Sequence, residues 1–584
     1  MGKSGFKHLI YGDMLKSPGY KVECAVGLTY SLNFDTLLSV MISFGFLGDS
    51  EDFPNLSPAC LMGAIQKNCD KIAVFCNSGS IAQPSNRKIY PLLENCIFPI
   101  NKKNASFHPK LWAIQEVNAE GERRIKLVVL SRNLTFDSSL DTVVTLTGHV
   151  TGKTNNHKQS KYLPIIKLLE ETATYCNQKK KDLIKKLCKE ISKVNEFLVD
   201  NPFDDYQFYT ENLMNIKTEM QGDDMIVFSP FIDRQTIKWL FDNTKKNRLL
   251  VTRRESVSDN IGSYDLKDML TKKQIYVPNK LLENSDYAPL NLHAKMYFVS
   301  KKGNKKSENN LFVGSANATD RAFNRNTEIL LRLHYKSNKS GFKSFKKYMV
   351  EESNQFEPID DISSFKDQKE LSTKEEIAFR IILDRIDKAS VKKEGGKYKI
   401  TILFKPDKKK DFSGINCSIA PLQAPQNKSK AFKNIPPKII LHGVSLEDLS
   451  EFYILKVGAL TPTVIKIQTN GFNDDDRDDA IFKNIVKSPT EFINYLSFFF
   501  SDNPQNPIPP KTKGTKQKGN SSNEAESILY EDMLRSFYND PRKFEIVKRE
   551  INIIDGFNKN VVPKQIKTML ESFSKAYEEW RKNA

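Results

Sequence analysis

The chain is predicted to be an α/β protein built from two similar halves, with a small β-rich domain and a C-terminal helical segment after them. Three observations predict this. A His-x-Lys strand followed by a Ser-x-Asn strand occurs twice, as Phe107-His108-Pro109-Lys110-Leu111-Trp112 with Leu130-Ser131-Arg132-Asn133, and as His293-Ala294-Lys295 with Gly314-Ser315-Ala316-Asn317. A β-branched and aromatic run that passes through an acidic cap into an amphipathic helix also occurs twice. Beyond residue 396 the pattern changes to short strands parted by Pro- and Gly-rich turns.

In the first half, Cys24 opens a strand, Asp35 is the expected N-cap, and an apolar-periodic helix runs to about Phe46. The second half repeats this with a strand from Met225, a cap at Asp233 and a helix to about Asn243. Lys71 to Cys76 and Arg248 to Thr252 read as short buried strands. Side chains alternate along a strand, so His108 and Lys110 share a face, and so do His293 and Lys295. The His-to-Asn interval is 25 residues in the first copy and 24 in the second.

These signals divide the chain into a first half at 1–150, a second at 151–350, a helical connector at 351–395, a β-rich domain at 396–502, a basic linker at 503–523 and a helical segment at 524–584. Lys161 to Val199 has helical spacing. Its lysines (Lys179, Lys180, Lys181, Lys185, Lys186, Lys189) read as a solvated helix face or, alternatively, as a track for a polyanion. Thr373 and Glu376 form a capping box before the connector helix. The linker is Pro-, Lys- and Gly-rich, without the apolar residues a core needs. The acids of Asn473 to Asp479 invite a calcium reading, but the EF-hand template needs Gly at position six and Glu at twelve, where Asp479 and Ile485 stand; an acidic helix start fits better.

The chain has 584 residues, with 89 Lys and Arg against 71 Asp and Glu, a net charge of +18. That balance favours polyanionic partners, nucleic acid first, through counterion release and steering. No apolar run approaches the roughly 18 residues of a membrane span, and the N-terminus lacks the apolar region of a signal peptide. A cytoplasmic protein without membrane association is therefore expected. The eight cysteines show no CxxC pair or zinc spacing and read as reduced, structural thiols.

Two HxK elements, each followed by S-x-N, resemble the phospholipase D superfamily. The resemblance covers roughly residues 20 to 335 and is nearest the branch whose motif ends in Asn, which includes tyrosyl-DNA phosphodiesterase and several bacterial nucleases. It implies two phospholipase D-like lobes forming a pseudo-dimer, and a metal-independent, cofactor-free phosphodiesterase acting through a covalent phosphohistidine. By carry-over, His108 is the nucleophile and His293 the acid/base, while Lys110, Lys295, Asn133 and Asn317 grip the phosphoryl oxygens. Ser131 and Ser315 belong to the same motifs.

Each histidine also needs an acceptor for its other ring nitrogen. Asp141 and Glu328, both before apolar strands, are the candidates, with the pairing open. Arg132, Arg253, Arg254, Arg321 and Arg325 are candidates for contacts to flanking phosphates of a DNA or RNA substrate. The Asp that the wider family carries five residues after the motif Lys is replaced by Gln115 and Ser300, which counts against a phospholipid phosphodiesterase. A binding or assembly subunit with little turnover is the other alternative. The C-terminal regions are candidates for a protein partner, and a role in bacterial host defence is an expectation by analogy alone.

Overall fold

The computed structural model describes residues 11–15, 17–44, 56–85, 88–136, 139–152, 159–211, 213–260, 264–279, 291–359, 373–406, 412, 414–501 and 521–583. Most of the expected basic linker lies outside them.

The first half is a six-stranded sheet of β1 (Tyr20–Leu28), β2 (Ile72–Asn77), β3 (Ile97–Ile100), β4 (Leu111–Asn118), β5 (Arg123–Leu130) and β6 (Val143–His149), in spatial order β3-β2-β1-β4-β5-β6. β1, β2 and β3 run parallel, and β4 to β6 add antiparallel. β2 is an unbroken apolar run because the sheet is covered on both faces. Helices α1 (Phe34–Ser43) and α2 (Pro58–Asn68) lie between β1 and β2 in the chain. The cap of α1 is Asn33, whose side chain accepts from the Asp35 and Thr36 N–H groups. Asp35, the expected cap, sits in the first turn instead, where its charge suits the helix dipole and its carboxylate accepts from the Tyr90 hydroxyl at 3.0 Å.

Helices α3 (Gln159–Ala173) and α4 (Gln178–Ile191) lead into the second half. The lysines of α4 divide. Lys185, Lys186 and Lys189 are exposed, whereas Lys180 is buried, donating to the carbonyls of Asp70 (3.0 Å), Ile72 (2.7 Å) and Cys69 beyond the end of α2.

The second sheet comprises β7 (Asp205–Tyr209), β8 (Gly222–Phe228), β9 (Thr244–Val251), β10 (Ile275–Pro278), β11 (Met296–Lys301), β12 (Glu308–Gly314), β13 (Leu330–Lys336) and β14 (Phe356–Pro358). Its order is β14-β10-β9-β8-β11-β12-β13-β7. The six central strands repeat the first sheet in order and in sense, and β7 and β14 extend the edges. Helix α5 (Arg234–Asp242) is capped by Asp233, as expected. At the end of β12 only glycine fits, since a Cβ on Gly314 would lie 2.1 Å from the Ile329 carbonyl oxygen.

One buried cluster draws on both sheets: Val26, Phe75, Leu111 and Leu127 share it with Ile226, Phe228, Phe298 and Leu331, and α3 and α4 add Tyr162, Leu169 and Ile184. Full burial of each such side chain contributes roughly 1.5–3 kcal/mol, so the halves are held to one another by a common core.

Helix α6 (Thr373–Arg385) is followed directly by β15 (Ile386–Glu394), which pairs with β16 (Lys397–Phe404) around Gly395-Gly396, both at positive φ. The connector expected to reach residue 395 therefore ends at Arg385. Ala389 and Val391 alternate inward along β15, a strand pattern that the surrounding lysines obscure. The domain continues with β17 (Cys417–Pro421), β18 (Lys430–Phe432), β19 (Lys438–Val444), β20 (Phe452–Val457) and β21 (Thr463–Lys466). Its second sheet, β18-β17-β20-β21, is completed by Ile81–Ala82 from the first half.

Helix α7 (Asp474–Ile485) has Asn473 as its cap and three acids in its first turn, the acidic helix start read from the sequence. Its Arg477 is buried against Glu94 of the first half, Nη1 to Oε2 2.6 Å. Helix α8 (Pro489–Phe500) packs on α2, an approach so close that a Cβ on Gly63 would lie 2.5 Å from the Tyr495 carbonyl oxygen. The last helices, α9 (Ser521–Asn539), α10 (Arg542–Asp555) and α11 (Lys564–Asn583), place Leu529, Met533, Phe544, Val547, Ile551 and Leu570 in the core shared with α1 and α2. All eight cysteines are buried and free. No helix among the described residues is long and apolar enough to cross a membrane.

Candidate active site

The four motif segments sit at corresponding ends of the two sheets. His108 and Lys110 precede β4, Ser131 to Asn133 follow β5, His293 and Lys295 precede β11, and Ser315 to Asn317 follow β12. Backbone hydrogen bonds then join the halves crosswise. The His108 N–H donates to the Thr327 carbonyl at 2.9 Å and the Thr327 N–H to the Ser106 carbonyl at 3.0 Å. In mirror fashion the His293 N–H donates to the Leu140 carbonyl at 2.9 Å, beside the parallel pairing of Asn291–Leu292 with Ser139–Leu140.

This stitching exchanges the carboxylates. His108 Nδ1 lies 2.8 Å from Glu328 Oε2, which belongs to the second half, and His293 Nδ1 lies 2.9 Å from Asp141 Oδ1, which belongs to the first. The sequence nominates both acids but leaves their pairing open, because the exchange depends on how the halves meet. Ser315 and Ser131, at matching motif positions, complete each arrangement: Ser315 Oγ donates to Glu328, and Ser131 Oγ donates to Asp141 at 2.8 Å. Ser139 adds a second hydroxyl to Asp141 at 2.9 Å, and the Asn326 amide reaches Glu328 at 3.3 Å.

The half-sites differ electrically. Glu328 has a fully buried side chain, and that burial pushes its carboxyl up to about 8 against the pull of Lys110 and the Ser315 hydrogen bond. Asp141 is 9% exposed; burial also pushes it up, but the hydrogen bond and charge of His293, the Ser131 hydroxyl and Lys295 outweigh burial and hold it below the usual range. Both imidazoles are pushed down by burial and by neighbouring lysines, His293 to about 4 and His108 well below its ordinary value. Burial likewise lowers Lys110, to about 7, and Lys295, which also feels the charge of Lys110. The charges of the two halves thus act on one another across the join.

Lys110 Nζ lies 3.0 Å from His108 Nε2 and 3.0 Å from the His108 carbonyl. With Lys110 protonated, His108 carries its hydrogen on Nδ1, toward Glu328, and presents a lone pair at Nε2. Lys295 Nζ donates to the His293 carbonyl at 2.5 Å. The Oδ1 atoms of Asn133 and Asn317 are both buried without a hydrogen-bond partner among the described residues. Two orphaned amide oxygens at equivalent positions mark polar groups oriented by the fold and left unpaired by the protein.

Some supporting residues are not evident from the motifs. The Thr29 hydroxyl accepts from the Leu134 N–H at 3.0 Å, and the Ser229 hydroxyl accepts from the Ala318 N–H at 2.9 Å, so each holds the loop just after a motif Asn. Their repeat position, one residue past β1 and β8, is a signal the duplication could have yielded. Tyr30 packs on His108 with ring centroids 5.0 Å apart, and Lys110 Nζ lies 5.8 Å from the same ring.

The expected basic rim is uneven. Arg253 donates from Nε to the Leu292 carbonyl at 2.9 Å and lies 4.7 Å over Phe231, beside the His293 strand. Arg132 is half-buried, with Nη2 3.5 Å from the Thr135 carbonyl. Arg321 and Arg325 are exposed, Arg325 3.8 Å from Asp320. Arg254 is engaged elsewhere, donating to Glu357 and, at 3.1 Å, to the Pro278 carbonyl, which ties β10 to β14. Gln115 donates to Glu23 at 2.6 Å, and Ser300 is buried within β11.

No protein-family model and no curated protein sequence matches the chain. Solved structures similar to it include three proteins that act on phosphate compounds by name. One is the yeast tyrosyl-DNA phosphodiesterase (15% identity, TM-score 0.35, covering 55% of this chain and 84% of that one). Phosphatidylserine synthase from Haemophilus influenzae Rd KW20 matches at 10% identity and TM-score 0.33, over 59% and 90% of the two chains. Polyphosphate kinase from Porphyromonas gingivalis matches at 11% and 0.27, over 56% and 44%. Likenesses at these scores carry no argument about chemistry, which rests on the residues of this chain.

Proposed function

We propose that this chain is a phosphodiesterase that cleaves DNA or RNA through a covalent phosphohistidine, its two halves forming a pseudo-dimer around one phosphorus. The observation that carries the proposal is the exchange of carboxylates, by which each motif histidine is oriented by an acid from the other half. A net charge of +18 suits a polyanionic substrate.

Attack on a phosphodiester crowds negative charge onto the phosphoryl oxygens, so the site must supply cations, a nucleophile and a proton for the departing alkoxide. His108 supplies the nucleophile, its Nε2 lone pair forming the P–N bond as the bond to the leaving oxygen breaks. His293 supplies the proton. An anionic phosphate entering the pocket raises its lowered pKa, and the ionised Asp141 stabilises the resulting imidazolium. Glu328, held largely neutral, offers His108 no such charge, which favours the neutral, nucleophilic form. Water then attacks phosphorus, giving its proton to His293 and breaking the P–N bond. Lys110, Lys295, Asn133 and Asn317 stabilise the equatorial oxygens, the amides turning their N–H groups to the substrate.

The test is cleavage of labelled single- and double-stranded DNA and RNA in excess EDTA, with His108→Ala and His293→Ala beside the parent protein. Activity that survives chelation, is abolished by His108→Ala and is slowed at least about 10²-fold by His293→Ala is expected. Activity lost on chelation, or undiminished in either variant, overturns the mechanism, and binding without turnover leaves the assembly-subunit alternative.

A further inference from the structure

A cleft of about 680 Å³ opens beside the first half-site, lined by Tyr30, Ser31, Ser80 to Ser85, Thr135 and Thr461 to Thr463. Its volume falls within the roughly 300–1,000 Å³ of small-molecule sites. It adjoins the reaction centre at two points: Tyr30 packs against His108 with the rings tilted by 59°, and Thr135 stands two residues beyond Asn133. The opposite wall comes from the β-rich domain, through the turn Thr461-Pro462 and the start of β21.

That wall is fixed to the first half. Ala82 and Ile81 pair with Thr463 and Val464 to complete the five-stranded sheet. Lys466 Nζ donates to the carbonyls of Glu94 at 2.7 Å and Ile97 at 3.0 Å, and the Glu451 N–H donates to Glu94 at 2.6 Å. The domain therefore meets the first half in a defined register beside the cleft.

The lining contrasts with the reaction centre. Lysines and histidines surround the phosphate position, whereas no charged side chain lines the cleft among the described residues; hydroxyls, one amide, two prolines, a tyrosine ring and short aliphatic groups do. Such a surface suits a flat, uncharged ligand with hydrogen-bonding edges. A base within a duplex hides its faces by stacking and its pairing edge in its partner, so only an unstacked base can use this site.

We propose that the cleft is a nucleobase subsite completed by the β-rich domain, which takes an unpaired base next to the scissile phosphate and so selects single-stranded nucleic acid. This rests on the phosphodiesterase reading and adds the substrate class. The domain beyond the two halves is thereby part of substrate recognition.

The experiment fills the cleft from exposed positions with Thr461→Trp and Gln83→Trp, in the full chain. Hydrolysis of a labelled single-stranded oligonucleotide is compared with that of a small dialkyl ester, two abasic deoxyribose units joined by one phosphodiester, which carries no base and no other flat ring. Expected is a rise in KM for the oligonucleotide of about tenfold, the scale of one lost base contact, with hydrolysis of the small ester unchanged. In a His108→Ala background, the Kd for single strands, read by fluorescence anisotropy, should weaken by the same factor. A strand abasic beside the scissile position should bind weakly and be insensitive to Thr461→Trp. Equal Kd values for intact and abasic strands, or equal losses on oligonucleotide and small ester, overturn the subsite. If the small ester is hydrolysed while the base makes no difference, the subsite alone fails; if neither substrate is turned over, the phosphodiesterase reading fails.

Discussion

The two histidine half-sites are close copies in backbone and unlike in charge. Each has an imidazole before a central strand, a lysine two residues on, a serine hydroxyl on the partner carboxylate and an orphaned asparagine oxygen. Yet one carboxylate is Glu328, with its side chain wholly out of solvent and its pKa near 8, and the other is Asp141, slightly exposed and held below the usual range. Duplication supplies two equivalent bases. Under the proposed two-step displacement, the difference in their acids would give them different work.

The widest separation of the half-sites is expected from the histidines. His293→Ala should slow turnover by about 10²–10⁴-fold, the range for proton transfer, and let a covalent adduct accumulate on His108. His108→Ala should yield no adduct. Intact-mass measurement after mixing with substrate reads both, and an adduct on His293 instead would reverse the assignment.

The asparagines should sharpen the comparison from the other side, because their settings match. Asn133→Ala and Asn317→Ala should each lower kcat by about 10²–10³-fold, the scale for one oxyanion donor. A large difference between them would place phosphorus nearer one half.

Between the acids the effects should be unequal. Asp141→Asn removes a charge and should cost about 10²-fold in kcat, at the low end for proton transfer, whereas Glu328→Gln replaces a largely neutral group and should cost under about tenfold. Comparable losses would mean that Glu328 works ionised.

The last contrast lies in stability, and its sign differs between the two. Glu328 is raised from 4.5 to about 8, so below about 4.5 both folded and unfolded chains hold its proton. As pH rises from there the unfolded chain releases the proton first, and stability falls until about 8, then levels. Asp141 is lowered from 3.8, so its contribution is present above that value and is lost as pH falls through the folded pKa. Thermal melts against pH should show Glu328→Gln flattening the neutral-side decline and Asp141→Asn the acid-side one.

How much of this could be read beforehand depends on the range of each interaction. The apolar strands and Ser-x-Asn loops are legible because periodicity and motif spacing are local, whereas the HxK residues, expected on strands, stand just before β4 and β11. The cap at Asp233 was legible too, while Asn33 was passed over for Asp35, since two capping residues stand two positions apart and backbone geometry chooses between them. Lys180 looked like any lysine of a basic helix, and its burial depends on carbonyls more than a hundred residues away. β15 falls within the expected connector because Lys388, Lys392 and Lys393 mask a strand whose inward apolar face is only Ala389 and Val391.

What the amino-acid order determined by itself was the inventory: two sheets with helices, two histidines, two lysines and two asparagines at matching spacing, and two acids at unequal offsets from them. Only the tertiary structure decided which acid meets which histidine, which arginine is tied up, and that a turn at Thr461 walls a cleft beside Tyr30. The physical reason is that strand pairing and capping act over a few residues, whereas exchange between halves and the drying of a carboxylate exist only once distant segments share one core.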